Sequence, residues 1–422
     1  MCIIKTLYIF AIHLIIIKLL GLTLNYFERK IYTKKIEPYI NKNLIKVIVG
    51  QRRTGKSYFL LQIIDIIREK FNDANIVYIN KEDLEFEHIQ DYLNLVEYAE
   101  DKQNPQKQNF LFIDEIQDIK EFERALRHFQ TKKSWDIYCT GSNAELLSGE
   151  LSTYLSGRYI EIKIFGLSYS EFLMFHSLSD TTESFEKYIR FGGLPYLYNL
   201  PLEKNVIYDY LKNVYSAILL KDVVSRHSIR NISFLERLTL YVADNIGQIV
   251  SAKKITEFLK SQNIRFSNNI VLDYLSYLCD AYFIIKIKRT DIKGKRILEI
   301  GEKYYLEDMG LRHALTGYKQ NDISQLLENI ILLHLLVNDY EVTIGKLGDK
   351  EIDFICDKLD TRIYIQVTLS LASEEVRKRE YGNLLAIKNN YKKIVVTTDE
   401  YKVDSVEGID TLNIRDFLMN FR

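Results

Sequence analysis

The sequence predicts an α/β protein: a parallel sheet bearing an anion-gripping loop and a helical lid, followed by a small helix-and-hairpin unit and an α/β carboxyl-terminal domain. Three observations lead there. An apolar run from Leu44 to Val49 feeds a glycine loop and then a helical pattern without Gly or Pro. A second apolar run, Asn109 to Ile113, ends in the paired acids Asp114 and Glu115. Beyond Phe172 the strand pattern gives way to helices, and strands return near Tyr282.

The first element is the most specific. Gly50-Gln51-Arg52-Arg53-Thr54-Gly55-Lys56-Ser57 has the spacing of a P-loop, in which two glycines let the backbone curl so that successive N–H groups point at phosphates. Lys56 is placed to reach the β- and γ-phosphates, and the Ser57 hydroxyl to hold Mg2+. The ligand is a nucleoside triphosphate, ATP or GTP, bound by Gly50, Arg52, Arg53, Thr54, Gly55, Lys56, Ser57 and Tyr58. Tyr58 to Ile67 is apolar all round, as a helix buried beside a sheet would be.

About fifty residues later come the acids. Asp114 is expected to accept the Mg2+ shell and Glu115 to orient and polarise the attacking water, because phosphoryl transfer asks for positioning and charge neutralisation. The third strand, Ile137 to Thr140, runs into Gly141-Ser142-Asn143, which puts Ser142 and Asn143 at a strand end where ligands gather. They touch the γ-phosphate or the water, or they cap a helix starting near Ala144. The last strand follows Gly157-Arg158-Tyr159. Arg158 is a candidate arginine finger, acting on a neighbouring subunit's nucleotide or on its own after closure, with a surface ion pair as the alternative.

Several blocks carry a family resemblance: the loop with its double arginine, Phe112-Ile113-Asp114-Glu115-Ile116-Gln117, Thr140-Gly141-Ser142-Asn143, Gly157-Arg158-Tyr159, Leu167-Ser168-Tyr169-Ser170-Glu171-Phe172, Phe191-Gly192-Gly193-Leu194-Pro195, Glu351-Ile352-Asp353-Phe354 and Tyr364-Ile365-Gln366-Val367. Together they resemble prokaryotic AAA-superfamily ATPases with a carboxyl-terminal domain of unknown function, from about Tyr26 onward. The resemblance implies the fold and ATP hydrolysis. It does not imply a physiological role.

The remaining elements are less specific. Residues 173–240 read as a helical lid, by analogy with AAA proteins. Arg190 and the segment Leu220 to His227 could face the nucleotide, but surface helix charge is the simpler reading. Residues 241–316 hold two helices and a hairpin, the order of a winged helix. Within 251–300 ten basic side chains stand against five acidic, which suits DNA phosphates through Lys253, Lys254 and the Arg265 region. Protein contact suits the same shape, and Asp273 and Asp280 fall on the second helix.

Residues 317–422 resemble a degenerate restriction-endonuclease-like domain. Glu328, Asp353 and Gln366 occupy the metal-ligand positions, but Gln366 replaces an acid and Thr368 stands where a lysine is usual. Lys378 or Arg379 could supply the missing charge. A relic used in folding or recognition is the expectation, and active cleavage of nucleic acid the alternative.

Composition sets bounds. The 422 residues carry 57 basic and 57 acidic side chains, so no global field draws the chain to nucleic acid. Four scattered cysteines without pairing or metal spacing fit a reducing, cytoplasmic setting. The segment 1–24 is open: Thr6 to Leu24 is apolar, but His13 and Lys18 break it below the roughly 18 apolar residues that a membrane span needs. It is an amphipathic or buried helix, an anchor, or sequence upstream of the natural start. With 25–172 as the ATPase core, the reading is a Mg2+-dependent ATPase that re-aims its appended units, with a second copy of the chain as a candidate partner in a homo-oligomer and a non-catalytic nucleotide switch as a further alternative.

Overall fold

Five parallel strands carry the amino-terminal half in a computed structural model that describes residues 26–144, 155, 157–261, 267–292, 294, 296–400 and 405–422. They are β1 (Ile45–Val49), β2 (Asn75–Asn80), β3 (Asn109–Asp114), β4 (Asp136–Gly141) and β5 (Tyr159–Lys163), in the order β2-β3-β4-β1-β5. The helices are α1 (Lys30–Ile36), α2 (Lys56–Lys70), α3 (Tyr92–Lys102) and α4 (Phe122–Lys132). β1 is buried along its whole length, which is why it reads as an apolar run with a single charge. Its one charge, Lys46, is neutralised by Asp136 on β4 and lies over the Tyr138 ring. One apolar cluster covers each face of the sheet, with Phe59 and Ile63 of α2 on one and Leu126 and Phe129 of α4 on the other.

The lid expected beyond Phe172 is helical: α5 (Tyr169–Phe175), α6 (Thr182–Phe191), α7 (Lys204–Ala217) and α8 (Ile232–Asp244). Ser168 opens α5 with a capping box, its hydroxyl accepting from the Glu171 N–H. A π-helical segment, Ile218–Val224, prolongs α7. Between α6 and α7 the backbone of Gly193 passes close to a carboxylate, its N–H donating to Asp308 Oδ2 at 2.7 Å. A side chain on Gly192 would sit 2.4 Å from Asp308 Oδ1, so this glycine is required by the close approach.

Next come β6 (Ile249–Val250), α9 (Ala252–Ser261), α10 (Asn268–Asp280), β7 (Ile284–Asp291) and β8 (Arg296–Leu306), with β6 and β7 both antiparallel to β8. The chain ends in α11 (Met309–Thr316), α12 (Ile323–Val337), β9 (Glu341–Leu347), β10 (Lys350–Lys358), β11 (Thr361–Thr368), α13 (Glu374–Leu385), β12 (Lys392–Thr397), β13 (Asp410–Asn413) and α14 (Ile414–Asn420). β7 also pairs in parallel with β9. One eight-stranded sheet therefore runs β13-β12-β11-β10-β9-β7-β8-β6 across residue 316. A single apolar cluster extends from Phe172 of α5 through Leu275 of α10 to Phe417 of α14. Residues 240 and 316 thus separate stretches of chain that share one core.

Thr6 to Leu24, a helix beyond Ala144 and Arg265 lie outside the described residues. Among the described residues no helix is long and apolar enough to cross a membrane.

Burial in this core has a measurable consequence at α12. The His334 Nε2 lies 2.8 Å from the Phe421 carbonyl oxygen, and burial lowers its pKa to about 4 from 6.5. Between those values only the unfolded chain takes the proton, so the ring's contribution to stability is whole above pH 6.5 and is lost as pH falls toward 4. Relative to His334→Gln, which does not titrate, the parent protein is expected to lose about 3 kcal/mol across that window. Urea unfolding of both proteins at pH 7 and pH 4.5 checks this.

Candidate functional site

β1 and β3 flank β4, so the loop after Val49 and the acids after Ile113 emerge side by side at the carboxyl end of one sheet. The loop's shape is fixed by sterics. Gly50 has φ +146°, and a Cβ there would lie 2.2 Å from the Ile164 carbonyl oxygen. Gly55, at φ +95°, turns the chain into α2. Lys56 Nζ lies inside the loop and donates to the carbonyls of Gly50 and Gln51, both at 3.0 Å. Thr54 donates to the Gln51 carbonyl at 2.9 Å. Arg53, with φ +72°, and Tyr58 are exposed at the rim.

The acids meet the loop from β3. The Asp114 carboxylate accepts from the hydroxyls of Thr140 and Ser57 and, at 3.3 Å, of Tyr78. Glu115 has a left-handed backbone, φ +55°, its N–H donating to Thr140 Oγ1 at 2.9 Å and its carboxylate accepting from Gln117. Their electrostatics diverge. Burial raises the Asp114 pKa, with the Glu115 charge adding to it. Burial also pushes Glu115 upward, but Lys56, Gln117, Arg52 and Lys221 together bring it below the ordinary carboxylate range. Lys56 is lowered by burial, with Glu115 and Asp114 opposing. The contact between the Ser57 hydroxyl and the Asp114 carboxylate supplies two hard oxygen donors on one spot, the donor type that suits Mg2+.

Ser142 and Asn143 are fully buried at the end of β4. Ser142 donates to Asp222 Oδ1 at 3.4 Å. Asp222 belongs to the π-helical segment, in the stretch whose charges read most simply as surface charge. That expectation is corrected: Asp222 is 1% exposed and binds Arg52 of the loop through two bonds of 2.8 Å. A fold of roughly 170 residues of chain brings the two together, and no local pattern announces it. Arg29 is a second such residue. It is buried, and donates to the Thr54 carbonyl of the loop at 3.2 Å.

Arg158 is not brought to the site. Its carbonyl accepts from the Ile45 N–H, so it precedes β5 at the amino end of the parallel sheet, opposite the loop, with its side chain exposed.

In the carboxyl-terminal part Glu328, Asp353 and Gln366 converge. The Asp353 N–H donates to Gln366 Oε1 and Asp353 Oδ2 accepts from the Val367 N–H, both at 2.8 Å. The cation among these acids is neither Lys378, which pairs with Glu374, nor Arg379, which binds Glu380. It is Lys303 of β8, 2.8 Å from Glu351 and 3.6 Å from Glu328. Burial and the Glu328 charge hold the Asp353 pKa far above normal despite Lys303. Among the described residues no group of three His, Cys, Asp or Glu side chains is arranged to hold a metal ion.

Residues 42–173 match the family model of an AAA domain, and residues 182–322 that of a domain of unknown function, DUF8612. An uncharacterized protein of Haemophilus influenzae is 35% identical over 400 residues, covering 93% of this chain and 98% of its own. An uncharacterized protein of Methanocaldococcus jannaschii is 32% identical over 396 residues, covering 88% and 86%. A Walker-type ATPase of Pyrococcus abyssi is similar in structure, with TM-score 0.48 and 14% identity, over 69% of this chain and 96% of that one. With its loop, its paired acids and these relatives above 30% identity, the chain belongs to the family of P-loop AAA-type ATPases that carry this further domain of unknown function.

Proposed function

We propose that this protein hydrolyses ATP with Mg2+ and uses the cycle to re-aim the units appended to its nucleotide sheet. The observation that carries the reading is the split between adjacent acids: Glu115 is held ionised beside Lys56 while Asp114 faces Ser57. Lys56 exchanges the Gly50 and Gln51 carbonyls for phosphate oxygens, and the loop N–H groups take the remaining charge. Ser57 and Asp114 would hold Mg2+, which would supply positive charge against the phosphates. Glu115 orients the attacking water and accepts its proton. Arg158 has a role only on the nucleotide of another subunit, since its own sheet separates it from the loop. Phosphate release that requires Mg2+ and falls about a hundredfold in Lys56→Ala is the expected result, the scale of losing one preorganised donor at developing charge. An unchanged rate in that variant ends the reading.

Residues 25–172 form the catalytic core in this reading, 173–240 the lid, 241–316 a winged helix and 317–422 a nuclease-derived domain that no longer cuts. The pairing of β6 and β7 with β8 around α9 and α10 supports the winged helix. Its partner is the open part of the function. Lys253 and Lys254 on α9 are exposed and suit DNA phosphates. α10 itself bears no Lys or Arg and exposes Ile270, Leu272 and Asp273, which suits a protein. The ATPase rate with and without DNA across salt concentrations separates them: stimulation that falls steeply with salt assigns the lysines to phosphates, and no stimulation at low salt assigns the unit to a protein partner. For the carboxyl-terminal domain, the ammonium of Lys303 among Glu328, Glu351 and Asp353 supports a structural role, because it supplies internally the positive charge that a nuclease would take from a metal.

A further inference from the structure

We propose that Asp222 is a positioning residue that sets the preference for nucleoside triphosphate over diphosphate by competing with the γ-phosphate for Arg52, an inference that rests on the nucleotide-binding reading above. Arg52 lies in the loop between its two glycines, so its backbone is already committed to the phosphates. Its side chain turns to the lid. Nε donates to Asp222 Oδ2 and Nη2 to Asp222 Oδ1, each at 2.8 Å, while Glu82 is a distant second partner at 3.8 Å. The fork geometry is the one a guanidinium offers equally to a carboxylate and to a phosphate, and a γ-phosphate carries more charge.

Asp222 is built for exchange. It is almost wholly buried, so its charge leans on the two short bonds from Arg52, and the hydroxyl of Ser142 is a longer contact at 3.4 Å. It stands on a π-helical segment that continues α7, a local geometry common at functional sites. When a γ-phosphate takes Arg52, the carboxylate loses its two short bonds and keeps the longer contact to Ser142, and the lid segment bearing it moves toward solvent or another donor. A diphosphate does not reach Arg52 and leaves the pair intact. The lid thereby reads the third phosphate through one side chain of the loop.

The test measures dissociation constants for a non-hydrolysable ATP analogue and for ADP, both with Mg2+, in the full chain. Asp222→Asn removes the competitor and is expected to raise the triphosphate-to-diphosphate preference about tenfold, the scale of one charge-assisted hydrogen bond. Arg52→Gln is expected to lower that preference by a similar factor. A purely structural pair would instead change both nucleotides alike, because a loosened loop grips every phosphate less well. Equal effects on the two ligands in Asp222→Asn, or an unchanged ratio in Arg52→Gln, overturn the proposal. If Asp222→Asn fails to fold, Arg52→Gln decides alone by the same ratio. Binding of neither nucleotide by the parent protein overturns the ATPase reading first and this inference with it, whereas normal binding with an insensitive ratio overturns only the role of Asp222.

Discussion

Glu115→Gln is expected to bind Mg-ATP about as tightly as the parent protein and to hydrolyse it about a hundred to ten thousand times more slowly, the range associated with a lost general base. The substitution keeps size and shape and leaves the backbone N–H of residue 115 on Thr140. What disappears is the negative charge. Burial alone would raise the Glu115 pKa, but Lys56, Gln117, Arg52 and Lys221 outweigh it, so the carboxylate is ionised and ready to accept hydrogen bonds from water. Gln lacks that basicity and keeps one acceptor oxygen, with an amide NH2 donor in place of the other. Binding rests on the loop and on Lys56, which the change does not touch. Single-turnover phosphate release beside equilibrium binding separates the two effects, and a release rate equal to the parent's would remove Glu115 from the role of base.

Arg29→Ala is expected to cost about 3 to 5 kcal/mol of stability, the loss typical of breaking a buried ion pair by deleting one partner. Arg29 is 3% exposed and uses its whole fork. Two bonds go to the Glu171 carboxylate, at 2.9 and 2.8 Å, and others to the carbonyls of Phe165, Gly166 and Thr54, while the guanidinium lies over the Tyr32 ring. Without it Glu171 remains buried beside the start of α5 with only Ser168 as partner, and three carbonyls lose a donor. Arg29→Lys keeps a charge but not the planar fork, so its loss is expected to fall between those of the parent and Arg29→Ala. Urea unfolding at pH 7 measures all three. A cost below 1 kcal/mol for Arg29→Ala would mean that the fork is dispensable.

How much of this was legible in the sequence depends on chain distance. Gly50 to Ser57 is readable because its chemistry is contiguous: the loop's sterics demand Gly at fixed spacing, and Lys and Ser follow at once. Asp114 and Glu115 are readable for the same reason, as charge ending an apolar strand. The arrangement of β1, β3 and β4 then brings these places together. Asp222, Arg29 and Lys303 have no such local signature. Each is a charge on a helix, linker or strand that reads as surface until tertiary structure supplies a partner 170, 142 or 48 residues away. Arg158 does not reach the loop of its own subunit, for a different reason. In a parallel sheet only residues following a strand reach the loop side, and Arg158 precedes β5. The join of β7 to β9 was hidden because strand pairing across a long connection leaves no trace in periodicity.

The eight-stranded sheet has a mechanical corollary. Hydrogen bonds between β7 and β9 stitch the hairpin to the carboxyl-terminal strands, and a ladder of this kind resists sliding far better than a packed apolar seam does. The hairpin and the strands beyond it therefore turn as one slab. Its points of purchase on the nucleotide half are both polar and apolar: Gln51 Nε2 donates to the Tyr282 carbonyl at 3.0 Å, Lys163 pairs with Glu307 and Lys35 with Asp339, and the Tyr282 ring packs into an apolar cluster of the nucleotide sheet. Gln51 belongs to the phosphate loop itself, so a tilt of the loop bears directly on the turn that opens β7, in the interior of the slab.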